Sequence, residues 1–127
     1  MGVRSDVAIC MKKSVVDSLS PGAQNFLEEW GFEERAKVEA HGGDSEDQAG
    51  TLFYTESVKW YSETYPDIIK FLQHLERYYD EEDYYIIQAC GEHPEADDQR
   101  GEWYDNPWNI YKAVSVELVW DLSLIHI

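Results

Sequence analysis

Hydrophobic and polar positions alternate along the chain with two periods, and the places where the period changes mark the elements. Val7-Ala-Ile-Cys-Met11 is apolar on every residue, which predicts a central strand covered on both faces. Val15, Val16 and Leu19 give a helical turn or two. Ser20-Pro21 then supplies an N-cap with proline at the first helical position, and Ala23, Phe26, Leu27 and Trp30 follow at helical spacing up to Gly31. The result is one helix, broken at Pro21. From Arg35 to His41 the period becomes two, with Ala36, Val38 and Ala40 inward. A polar turn over 42–50 and an extended Thr51–Thr55 complete a hairpin. Ile68, Phe71, Leu72, Leu75 and Tyr79 then fall at i, i+3, i+4, i+7 and i+11, the clearest amphipathic helix in the chain. Asp83–Cys90 is rich in strand formers. Residues 91–107 read as a long polar connection, and Asn109–Trp120 as the longest strand, with Val114, Val116 and Leu118 on one face.

The order strand, helix, hairpin, helix, strand, strand predicts a single α+β domain over residues 1–121. It resembles a ferredoxin-like βαββαβ unit with an extra C-terminal strand, two helices packing on one face of an antiparallel sheet. The last six residues, 122–127, resemble translated transposon-end adapter from sequencing-library preparation; they are set aside, and the native sequence is expected to depart from this one after about Asp121.

Composition changes the picture through charge. The chain carries 26 Asp and Glu against 10 Lys and Arg, a formal net charge of -16. Its aromatic content of 14% argues for a packed core in spite of that charge. Contact with bare nucleic acid or anionic lipid is disfavoured, because both are negative. No apolar run long enough to span a bilayer occurs, and a soluble, intracellular protein is expected. Cys10 and Cys90, each in an apolar run, read as buried thiols rather than a disulfide.

Signals for catalysis are weak. The common nucleotide, hydrolase and zinc motifs are missing from the sequence, no cofactor is expected, and the chain is read as a non-enzyme. Cys90, Glu92 and His93, joined by His41, could form a metal site, but a buried thiol beside a solvated loop is the commoner arrangement. His74, next to the apolar stripe of its helix, reads as a half-buried structural residue.

The acids themselves are the stronger feature. Between Asp80 and Asp105 there are ten acids and one base: Asp80, Glu81, Glu82, Asp83, Glu92, Glu95, Asp97, Asp98, Glu102 and Asp105 against Arg100. Smaller clusters are Asp44, Glu46 and Asp47, and Glu28, Glu29, Glu33 and Glu34. Like charges crowded together destabilise a compact state, while a carboxylate-dense surface can occupy a groove built for DNA, which carries one charge per about 1.7 Å of axis. Trp103, Tyr104 and Trp108 lie among these acids, in a loop whose polarity predicts exposure; the alternative expectation, of equal weight, is that Trp103 and Trp108 fold back over the sheet edge as a lid. Aromatic anchors inside a charged rim are the usual build of a protein interface. Trp60 reads as packing beneath the second helix.

The opening Met1-Gly-Val-Arg-Ser-Asp-Val7, with Val58-Lys-Trp-Tyr61 and Tyr65-Pro-Asp67 ahead of a helix, resembles small bacteriophage and mobile-element proteins that open Met-Gly-Tyr-Arg-Ser-Asp-Val. This chain departs from them at Val3, and the likeness does not extend to 80–105. That resemblance implies, by analogy, an anti-CRISPR-type inhibitor acting on a basic nucleic-acid-binding surface of a host nuclease. The contrasting expectation is a regulatory α+β module, dimeric through a free sheet edge, whose charge serves solubility.

Overall fold

The computed structural model describes residues 4–38, 49–60, 65–90, 98–104 and 107–108, with the backbone of 111–112 and 118–119. At its centre lies β1 (Ser5–Lys12), the apolar run expected of a strand covered on both sides. Val7, Ile9 and Met11 point to one face and Ala8 and Cys10 to the other, and all five are fully buried. Two short helices follow, α1 (Lys13–Ser18) and α2 (Pro21–Glu29). The break falls at Leu19-Ser20 because a residue before proline is driven out of the helical region; Ser20 is extended, and its Oγ accepts the Ala23 N–H at 3.2 Å. Gly31, at φ 75°, turns the chain out of α2 toward β2 (Glu33–Val38).

The predicted hairpin is present. β2 pairs antiparallel with β3 (Gly50–Val58), Ala36 lying opposite Leu52. The second helix, α3 (Pro66–Tyr78), buries Ile68, Phe71, Leu72 and Leu75 against the sheet, and a 3-10 turn at Glu81–Asp83 leads into β4 (Tyr84–Ala89). The fold is α+β, with a five-stranded, fully antiparallel sheet in the order β2-β3-β1-β4-β5 and three helices. This strand order is compatible with the ferredoxin-like expectation.

Two details depart from the sequence expectation. The strand that extends the sheet is β5 (Asp98–Gly101), inside the stretch read as a polar connection. Its side chains are polar and half exposed, which suits a sheet edge, where backbone pairing with β4 suffices and no alternating apolar signal is needed. Nor does Asn109–Trp120 form one long strand. β6 (Tyr111–Lys112) and β7 (Leu118–Val119) pair antiparallel with each other in a separate two-stranded sheet, and the residues between them, Val114 and Val116 included, lie outside the described residues. β5 holds the place beside β4.

The sheet separates two apolar clusters. On the helix side Phe26 stacks on Phe71 at 4.5 Å, with Trp60 edge-on to both Phe26 and Phe32, and Trp60 is buried as expected. On the other side Ala36, Leu52, Tyr54, Tyr85, Ile87 and Ala89 are capped by Trp103 and Trp108, whose rings meet edge to face at 6.0 Å.

Candidate functional site: an acidic edge beside β4

The acids after α3 are placed by the end of that helix. Tyr79 and Asp80 turn extended, the Asp83 N–H donates to Asp80 O at 3.0 Å, and the 3-10 turn presents Asp80, Glu81 and Glu82 to solvent. Asp83 is half-buried, and its carboxylate lies 3.3 Å from Lys12 Nζ.

From Asp98, fifteen residues after Asp83, β5 brings the chain back to the same spot. Gly101 adopts φ 82°, and a Cβ there would strike Tyr84 O, so the close approach of β5 to the start of β4 requires glycine. The Glu102 N–H then donates to Glu81 O at 2.6 Å and the Trp103 N–H to Tyr84 O at 3.1 Å. Two acidic stretches separated in sequence are thereby joined through their backbones, and Glu81, Glu82 and Glu102 share one exposed corner.

Asp98 lies on β5 and accepts a bond from Arg100 Nε at 3.2 Å, while Arg100 Nη1 reaches Glu76 at 3.5 Å. Lys12 and Arg100 thus neutralise part of the edge from within. Ion pairs near the surface such as those of Arg100 each contribute on the order of 0–1 kcal/mol, while the Lys12–Asp83 pair is partly buried; the acids still outnumber the two cations and leave the corner acidic.

The aromatic residues divide. Tyr104 is 62% exposed and sits edge-on to Tyr85 at 5.4 Å, at the rim of the acids. Trp103 and Trp108 are 1% and 0% exposed. The expectation that they anchor a partner from an exposed loop is therefore corrected: both indoles close the second face of the sheet, and Trp103 seats itself over Gly50, where a Cβ would lie 2.8 Å from the ring. Burying an indole surface outweighs the polarity of its neighbours, because those neighbours need only reach water while the rings turn inward. Glu92, Glu95, Asp97 and Asp105 lie outside the described residues, as do Asp44, Glu46, Asp47, His41 and His93.

Sequence reasoning missed Glu76 and Tyr78. Tyr78 is 63% exposed at the end of α3. Both fall off the Ile68, Phe71, Leu72, Leu75 stripe, and that offset was a readable sign of exposure. Glu28, Glu29, Glu33 and Glu34 are all exposed around the end of α2, which has no basic residue in its last turn, so the macrodipole there is uncompensated.

Both thiols are buried and are not joined in a disulfide, as expected. Burial pushes the Cys10 thiol far above its ordinary range, since a thiolate would lose its hydration. Cys90 belongs to a buried polar knot in which Ser5 Oγ lies 2.8 Å from its Sγ, while Gln88 Nε2 donates to Ser5 Oγ at 2.8 Å and to Trp60 O at 3.0 Å. These bonds tie the ends of β1 and β4 to the chain after β3. Among the described residues no group of three His, Cys, Asp or Glu side chains is arranged to hold a metal ion, and no helix is long and apolar enough to cross a membrane.

No family model, curated protein or solved structure matches this chain.

Proposed function

We propose that the protein works by docking its acidic edge on a basic protein surface of the kind that nucleases present to nucleic-acid phosphates, as an inhibitor of a host defence nuclease such as a CRISPR effector. The observation that carries this reading is the bond from the Glu102 N–H to Glu81 O, which unites two acidic stretches into one corner next to exposed Tyr104. Carboxylates carried on an ordered backbone lose less backbone freedom on binding than the same charges on a flexible tail, so they compete better with phosphate. The net charge of -16 steers such a partner in from a distance. Tyr104 is the aromatic contact of the surface, Trp103 and Trp108 supporting it from beneath. No catalytic step is assigned to the chain.

The test is charge reversal at Glu81, Glu82 and Glu102 to lysine, assayed against a panel of purified CRISPR effector nucleases with and without competitor DNA. Association at low salt is expected to slow about tenfold or more, the difference shrinking as salt is added. The same reversal at Glu28, Glu33 and Glu34 is expected to leave inhibition in place, because those residues lie at another part of the surface. Undiminished inhibition by the first variant overturns the reading.

A further inference from the structure

Between α2 and α3 runs a groove of about 320 Å³, on the helix layer and apart from the acidic corner. Its ends are set by contacts between the two helices and their flanks. Trp30 meets Tyr65 at 5.8 Å where α2 ends and α3 begins, and Ser18 Oγ lies 3.0 Å from Tyr79 Oη where α3 ends. The helices are therefore antiparallel, and the stacked rings of Phe26 and Phe71 lie midway as an apolar floor.

The charges along this groove are sorted. Glu29, from the last turn of α2, and Asp67, from the first turn of α3, line the end marked by Trp30 and Tyr65. One turn further along α3 comes Lys70 and another turn on His74, opposite Ser20 and Ala23 at the start of α2. Lys70 is exposed, and no ion pair to Asp67 or Glu29 satisfies it. His74 Nε2 is buried without a hydrogen-bond partner at the side of the groove. Two carboxylates at one end, an ammonium one turn along α3 and a floor of aromatic rings describe a complement for a molecule with a cation, an adjacent anion and an apolar body. The volume lies at the small limit of ligand sites.

We propose that this groove binds a small zwitterion with an apolar body, of the class of a free aromatic α-amino acid. The ligand ammonium is received between Glu29 and Asp67, its carboxylate by Lys70, and its ring over Phe26 and Phe71. Neither Glu29, Asp67 nor Lys70 contributes to the acidic corner, so the proposal stands or falls independently of the docking reading.

The experiment is amide chemical-shift titration of the full chain with L-phenylalanine, and in parallel with phenethylammonium and 3-phenylpropanoate, each lacking one charge. Saturable shifts at Ala23, Phe26, Asp67, Lys70 and His74 are expected with L-phenylalanine. Each analogue is expected to bind about tenfold more weakly, the usual worth of one charge-assisted bond. Lys70→Ala, at an exposed helix position that tolerates alanine, is expected to equalise L-phenylalanine and phenethylammonium. The proposal is overturned by an absence of saturable shifts in the groove, by shifts centred elsewhere, or by an analogue that binds as well as the zwitterion does.

Discussion

One face of the sheet is roofed by α1, α2 and α3, which carry their own stripes of Val, Leu and Phe onto Val7, Ile9 and Met11. On the opposite face no helix packs among the described residues; it is closed by Trp103 and Trp108 from the segment that also bears the acids of the edge. A helix covers a sheet with many small contributions, each backed by its neighbours on the same turn. The 102–108 segment does it with two large rings held by a few backbone bonds. In such a strap the residues facing in and those facing out are adjacent in sequence, so Glu102 and Tyr104 are displayed because Trp103 is buried between them. The apolar burial of one residue is what holds its charged neighbours rigid.

The largest effect expected of any substitution tests whether the two faces form one cooperative unit. β1 and β4 give alternate residues to both clusters, so Trp103→Ala and Phe71→Ala are each expected to destabilise the whole molecule by about 3–5 kcal/mol in urea unfolding. Circular dichroism and indole fluorescence should report coincident transitions in both variants. A strap transition that precedes loss of the sheet in Trp103→Ala would separate the faces and weaken the link between buried indole and rigid edge.

Gly101→Ala comes next. It places a Cβ against Tyr84 O at a positive φ, with strain of about 1–3 kcal/mol before any clash is relieved. Because the strain lies where β5 meets β4, hydrogen exchange at Glu102 and Trp103 should rise more than at Val7 or Ile9. Uniform acceleration across the sheet would argue against a local role.

The smallest effect is read by pH. Tyr54, in the strap-side cluster, is pushed up to about 12, chiefly by burial, with the Asp6 and Glu56 carboxylates adding to it, and burial also raises Tyr85 on the same face and Tyr84 on the helix side. A phenol whose folded value is raised keeps its proton in the folded chain after the unfolded chain has lost it. Stability is therefore full below about pH 10 and falls as pH rises from about 10 toward 12. Tyr54→Phe should flatten that decline in a pH series of urea midpoints, and an unchanged slope would assign the decline to other groups.

Much of the fold was legible because its signals are local. An unbroken apolar run marked β1 as central, Ser20-Pro21 marked the start of α2, and the i, i+3, i+4 stripe marked α3. β5 was not legible: Asp98–Gly101 has no apolar alternation, and only pairing with β4 makes it a strand. For the candidate site, the sequence showed a dense acidic stretch but left Trp103 and Trp108 undecided between an exposed loop and a lid over the sheet, and burial settles it as the lid. Polarity averaged over a loop does not report where a single large side chain turns.

What the sequence determined by itself was the class of fold, the burial of both thiols and the excess of negative charge, since each depends on composition or on residues within a few turns of one another. Tertiary structure alone decided that Glu81 and Glu102 share a corner, that the indoles lie beneath it, and that Phe26 and Phe71 floor a groove with carboxylates at one end. Those juxtapositions come from strand order and from close backbone approach at Gly50 and Gly101, which join residues too far apart in the chain for any local pattern to relate them.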